Sequence, residues 1–186
     1  MDIKGYKSKI ENTHSSIRKD ISKYFKEIKY TLPNKSFQTV AVSTPSDFEK
    51  ILKGSGFYII FTDFKIEEQN KCVLEIDSLK AIYRGHGSKV CKRLQSHLIN
   101  KIYRSKRKSS DPDYSVCLKI KKDGTKGGIN INSEPYKSSK WKVVVHKMTN
   151  SSKEIREQAE FAFDEVFGKP VCSREVNKLP SKKKRK

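Results

Sequence analysis

The stretch Gly56-Phe57-Tyr58-Ile59-Ile60-Phe61 is the most continuous apolar run in the chain, and its aromatic and β-branched residues predict a buried strand. Two more strands are predicted at Cys72–Ile76 and Leu79–Tyr83. Gly85 and Gly87 then interrupt the pattern, and Ser88 suits a helix N-cap. Residues 89–103 put Val90, Cys91, Leu94, Leu98 and Ile102 on one stripe, which predicts an amphipathic helix. Further on, Trp141–Met148 is another β-prone run. Ser151-Ser152-Lys153-Glu154 has the form of a capping box opening a helix with Ile155, Ala159, Ala162, Phe163, Val166 and Phe167, stopped by Gly168 and Pro170.

Upstream, residues 1–54 read as an accessory segment. Ile10, Ile17, Ile21, Tyr24, Phe25 and Ile28 recur near helical spacing and predict a helix ending before Pro33. A short strand is predicted at Ser36–Val42, followed by a short helix opened by Thr44-Pro45-Ser46-Asp47 and stopped by Gly54. Residues 55–175 form the core, interrupted at about 104–140 by a polar, basic insertion with a strand at Tyr114–Lys122. Residues 176–186 are a basic tail ending Lys182-Lys183-Lys184-Arg185-Lys186.

The 186 residues include 41 Lys or Arg and 21 Asp or Glu, a formal charge of +20. Hydrophobic residues at 34% and aromatics at 10% are enough for a core and argue against a disordered chain. No apolar run approaches the roughly 20 residues that cross a bilayer, so no membrane partner is expected. The N-terminal residues lack a signal-peptide pattern, and an intracellular, bacterial cytoplasmic location is expected. The tail also has the form of a nuclear import signal or a DNA tether. Such a charge attracts polyanions, nucleic acid first and an anionic membrane surface second. Cys72, Cys91, Cys117 and Cys172 form no CxxC pair, and His14, His86, His97 and His146 lack metal-ligand spacing.

Two aromatic–glycine triplets stand out, Gly56-Phe57-Tyr58 on one strand and Tyr83-Arg84-Gly85 at the end of another. The helix that follows carries Arg93 and His97 at i, i+4, on one face at the edge of its apolar stripe. With this string the chain resembles the GIY-YIG nuclease superfamily. The match covers residues 56–97 well and 142–172 more loosely. The resemblance implies an α+β core, a three-stranded antiparallel sheet flanked by helices, that hydrolyses DNA phosphodiesters with one divalent metal, Mg²⁺ or another such as Mn²⁺.

Carried over residue by residue, the resemblance makes Tyr58, Tyr83, Arg93, His97 and Glu160 the catalytic set, with Glu160 the metal ligand, placed by Lys169-Pro170 beyond it. Helical position agrees, putting Glu160 beside Phe163 and Phe167, with Asp164 and Glu157 expected on the opposite side. Glu165 and Glu154 are the alternatives. Tyr58 is the implied general base and His97 its rival, or a phosphate donor when protonated. Arg93 suits a phosphate because its fork of N–H donors has no equivalent in Lys. The sequence departs from the family in three places: Arg84 stands where an aliphatic residue is usual, an insertion falls around 64–79, and the asparagine after the glutamate helix is absent, with Cys172 or Ser173 near its place.

Residues 101–142 hold twelve basic and four acidic residues and interrupt the core where the family inserts recognition elements. Lys106, Arg107, Lys108, Lys119, Lys121, Lys122 and Lys126 are therefore candidate DNA contacts, with Lys89 and Lys92 on the catalytic helix. Arg84, opposite Tyr83 by strand alternation, is expected to be exposed or on DNA. The form is most like a free-standing type II restriction endonuclease acting on double-stranded DNA. Cutting both strands of a symmetric site favours a homodimer, with the N-terminal helix as its interface. The alternatives are a homing or repair nuclease of the same superfamily, or a basic protein that binds nucleic acid without cleaving it.

Overall fold

A computed structural model of the chain describes residues 1–32, 34–99, 118–122 and 125–174. The elements run α1 (Ile3–Glu27), β1 (Phe37–Ala41), a 3₁₀ turn at Pro45–Lys50, β2 (Gly56–Thr62), β3 (Glu75–Ile76), β4 (Leu79–Gly87), α2 (Val90–Leu98), β5 (Lys119–Lys122), β6 (Thr125–Gly128), β7 (Trp141–Lys147) and α3 (Lys153–Phe167). The architecture is α+β. The predicted strands at 56–61, 79–83 and 141–148 lie side by side and antiparallel, but the sheet has five strands rather than three, in the order β1-β7-β2-β4-β3. Its edges come from β1 and from β3, which is far shorter than the strand expected over Cys72–Ile76.

β2 is the centre of the molecule. All seven of its residues are buried, because helices cover both faces of the sheet, and this is why it reads as an uninterrupted apolar run. Phe57, Ile59 and Phe61 join a core with Phe25 of α1 and Ala159, Ala162 and Phe163 of α3. Tyr58 and Ile60 face the other way, into a core with Val90, Leu94 and Leu98 of α2 and the residues Leu118, Ile120, Ile129 and Ile131 around the β5–β6 hairpin.

Alternation along β4 would return Tyr83 to the α3 face, where Ala81 sits. A β-bulge prevents this. Ile60 pairs with Tyr83 and Phe61 with Ala81, so Ile82 is the extra residue, and Ile82 and Tyr83 both enter the α2-side core. The bulge thus puts Tyr83 on the face of Tyr58, and from there alternation sends Arg84 to the α3 side.

The first 54 residues do not stand apart. β1 pairs with β7, and α1 lies along α3, with Phe25 among Phe57, Phe163 and Phe167 at centroid distances of 5.5–6.2 Å. The helix at the predicted 89–103 is described only as Val90–Leu98, and Lys89 rather than Ser88 takes the cap position. α3 is capped by Ser152, whose hydroxyl accepts from the Ile155 N–H, one residue beyond the predicted Ser151. Gly168 ends α3 at φ 81°, a conformation that favours glycine, and its Cα lies against the Lys71 carbonyl with no room for a side chain. The chain then turns back along the outer edge of β4. There the Cys172 N–H donates to the Ile82 carbonyl at 2.9 Å and the Arg84 N–H donates to Ser173 Oγ at 2.9 Å.

Candidate active site

Two strands and two helices meet at the site. Tyr58 is fully buried on β2, and its ring stacks on that of Tyr83 with centroids 6.1 Å apart. Its hydroxyl lies over Gly85, where a Cβ would come within 2.6 Å of the oxygen, so the glycine of the second triplet is needed for clearance. From α2, His97 Nε2 sits 2.9 Å from the Tyr58 hydroxyl, and Arg93 Nε donates to the same oxygen at 3.3 Å. The i, i+4 spacing therefore does what its geometry allows, bringing both side chains to one atom. The His97 ring also packs on Tyr83 at 4.8 Å. Lys89 and Lys92 are exposed, and Arg93 keeps much of its surface open.

Burial holds the two phenols and the imidazole uncharged at rest. Burial, then the neighbouring Tyr83, keep the Tyr58 phenol well above its ordinary range, against the pull of Arg93. Burial pushes Tyr83 up as well. His97, with no exposed surface, is pushed down to about 3 by burial and then by Arg93 and Arg174. A protonated His97 donating to phosphate, one of the expected roles, does not fit an imidazole both covered and neutral.

Glu160 approaches from α3, and its charge acts on Tyr58, Tyr83 and Arg93. Its carboxyl is pushed up to about 7 by burial, against the opposing pull of Arg84. Arg84 overturns the expectation attached to it. It is 3% exposed and cannot lie on DNA, because Asp164 grips its guanidinium in a fork, Nε to Oδ1 at 3.1 Å and Nη2 to Oδ2 at 2.7 Å. Its Nη1 is 3.4 Å from Glu160 Oε2. Asp164 is thus on the Glu160 side of α3, not opposite: four residues at 100° each leave the two only about 40° apart around the helix. That angle was readable from the sequence. The alternatives to Glu160 are engaged elsewhere or remote: Glu165 binds Arg18 and Ser22 of α1, and Glu154 is exposed in the first turn of α3.

Ser173 is the other residue that sequence reasoning did not assign. Near the place of the absent asparagine, it is 8% exposed and accepts the Arg84 N–H. No local pattern announces a hydroxyl that serves a strand edge 89 residues away.

The donor set suits Mg²⁺ or Mn²⁺ held through one carboxylate, since Mg²⁺ keeps several waters and takes phosphate oxygens for the remainder. Among the described residues Glu160 Oε1 has no partner, and no three His, Cys, Asp or Glu side chains cluster as a fuller cage.

Of the other DNA candidates, Lys119, Lys121, Lys122 and Lys126 lie on the β5–β6 hairpin. Lys106, Arg107 and Lys108 lie outside the described residues, as does the basic tail. No described helix is long and apolar enough to cross a membrane. Comparison with known protein families, with curated proteins and with solved structures returned no match.

Proposed function

We propose that the chain is a divalent-metal-dependent phosphodiesterase acting on DNA. One observation carries the reading: Arg93 and His97, a helical turn apart, both reach the hydroxyl of a buried tyrosine that lies beside Tyr83 and within the field of Glu160. More particularly, we read it as a GIY-YIG endonuclease of the free-standing type II restriction kind, cutting double-stranded DNA at a defined site.

In this mechanism Arg93, open to solvent, turns its guanidinium to the scissile phosphate and stabilises the charge that grows there. Lys89 and Lys92 hold neighbouring phosphates, with the β5–β6 lysines further out. Leaving Tyr58 for the phosphate, Arg93 uncovers the phenol oxygen to the attacking water. Tyr58 gives its own proton to solvent once uncovered, a step that the field of a bound cation would favour, and as general base then takes the proton of the attacking water. His97, neutral throughout, keeps its Nε2 against the Tyr58 oxygen and holds it in place. Tyr83, packed against both, orients the pair. Glu160 presents the carboxylate that holds Mg²⁺ or Mn²⁺, and a bound cation supplies Lewis-acid stabilisation of the phosphate and the leaving oxygen. Cutting both strands takes two copies, so a homodimer on DNA belongs to the reading.

A second reading, a basic protein that binds DNA without cutting it, has one observation in its favour: Tyr58 and His97 are both wholly covered. Incubation with plasmid DNA and Mg²⁺, followed by end-sequencing, separates the two. Discrete fragments support the restriction enzyme, and random nicking favours a repair-like nuclease. Intact DNA despite tight binding eliminates cleavage. Glu160→Ala is expected to abolish cutting while leaving binding largely intact; unchanged cutting would show that the metal ligand lies elsewhere.

A further inference from the structure

Arg84 is shared by two carboxylates, and the sharing is unequal. Asp164 takes two of its N–H groups in a fork at 3.1 and 2.7 Å, while Glu160 is left with a single approach at 3.4 Å, beyond the range of a strong charge-assisted bond. We propose that Asp164 is a positioning residue for Glu160: by holding the Arg84 guanidinium, it keeps that cation from closing on Glu160 and leaves the Glu160 carboxylate available to a divalent cation. The proposal rests on the reading of Glu160 as a metal ligand.

Three features of the fold support it. Asp164 and Glu160 are one turn apart on α3 and address the same guanidinium, so whichever holds the fork leaves the other the remaining N–H groups. Arg84 has little freedom to retreat: its own N–H is tied to Ser173 and its side chain is 3% exposed. The division of the guanidinium also matters: with Asp164 in the fork, Arg84 meets Glu160 through one nitrogen at 3.4 Å rather than through two. A one-to-one Arg84–Glu160 fork would occupy both Glu160 oxygens. Removing the Asp164 charge is expected to produce that fork, because Glu160 is the other carboxylate described against Arg84.

The test uses the full chain without DNA and Mn²⁺ alone as the probe, with binding read from the electron paramagnetic resonance of free Mn²⁺. Wild type is expected to bind, and Glu160→Ala to lose that binding. Asp164→Asn is expected to raise the Kd at least tenfold. Adding Arg84→Met to Asp164→Asn is expected to restore affinity to within a few-fold of wild type, which a folding defect would not do. The proposal is overturned if Asp164→Asn binds like wild type, or if the double variant binds no better than Asp164→Asn. If Glu160→Ala binds like wild type, the metal-ligand reading falls and takes the positioning role with it, a pattern distinct from either of those.

A measurement on wild type guards against variants that do not fold. The Arg84 Nε–H resonance should be observable in ¹H–¹⁵N spectra and persist when Mg²⁺ is added, since Asp164 rather than Glu160 accepts it. Loss of that signal on Mg²⁺ addition would overturn the proposal.

Discussion

Lowering the pH should loosen the attachment of α1 to the sheet through His146. This residue lies on β7 at the junction of α1 with the sheet, 4% exposed. Its Nδ1 is 2.9 Å from the Tyr24 hydroxyl and its Nε2 3.1 Å from the Tyr30 hydroxyl, so a neutral ring, one donor and one acceptor, serves both tyrosines. Burial pushes its pKa from 6.5 down to about 3. A histidine depressed in this way takes its proton more readily unfolded than folded. Its contribution is therefore complete above pH 6.5 and is lost as the pH falls from 6.5 towards 3. At pH 5 the loss is about 2 kcal/mol, a figure set almost wholly by the unfolded value of 6.5 and little changed wherever below pH 5 the folded value lies. His97, also at about 3, adds a similar about 2 kcal/mol, and the two together approach the lower range of a whole domain's stability. Urea unfolding at pH 7.5 and pH 5, comparing wild type with His146→Gln, isolates the first contribution. Gln offers one donor and one acceptor but no titration. The fall in stability between the two pH values should be smaller in the variant by about 2 kcal/mol. An equal fall in both proteins would refute the argument, as would an NMR titration showing His146 charged in the folded state at pH 6.

Gly85→Ala should both destabilise the fold, by about 1–3 kcal/mol for overpacking, and impair cleavage by displacing the Tyr58 hydroxyl; urea unfolding and plasmid cutting check this, and wild-type behaviour in both assays would show the clearance over Gly85 to be unneeded. Arg93→Lys should lower the cleavage rate about 100-fold with little change in unfolding, because the ammonium lacks the fork for phosphate; single-turnover kinetics read the loss. DNA affinity should fall with salt by about 0.9 log unit per tenfold increase for each phosphate contact, and a fluorescence-anisotropy titration in which Lys89→Ala plus Lys92→Ala leaves that slope unchanged would remove those residues from the interface.

The elements with strong local patterns were legible. β2 announces itself because burial on both faces demands an apolar run, and α3 because Ile155, Ala159, Ala162 and Phe163 recur at helical spacing. Arg93 and His97 were legible as a pair because the helix alone brings them together. Arg84 was misread because alternation states which face a residue takes but not what waits there: the α3 side holds Asp164, whose charge makes burial of a guanidinium tolerable. The role of Ser173 was invisible for a related reason, since its acceptor serves an unpaired strand edge and strand edges exist only once the sheet is assembled.

By itself the sequence determined the net charge of +20, most of the strand and helix types, and the spacing that pairs Arg93 with His97. These depend on composition and on spacing within a few residues, where local geometry dominates. The tertiary structure decided which of those residues meet. A single extra residue at Ile82 rotates Tyr83 onto the face of Tyr58, and the return of the chain past Gly168 seals the edge of β4 beside Arg84. Both depend on register and packing between segments distant in sequence, and a one-residue shift of register reverses every face that alternation assigns.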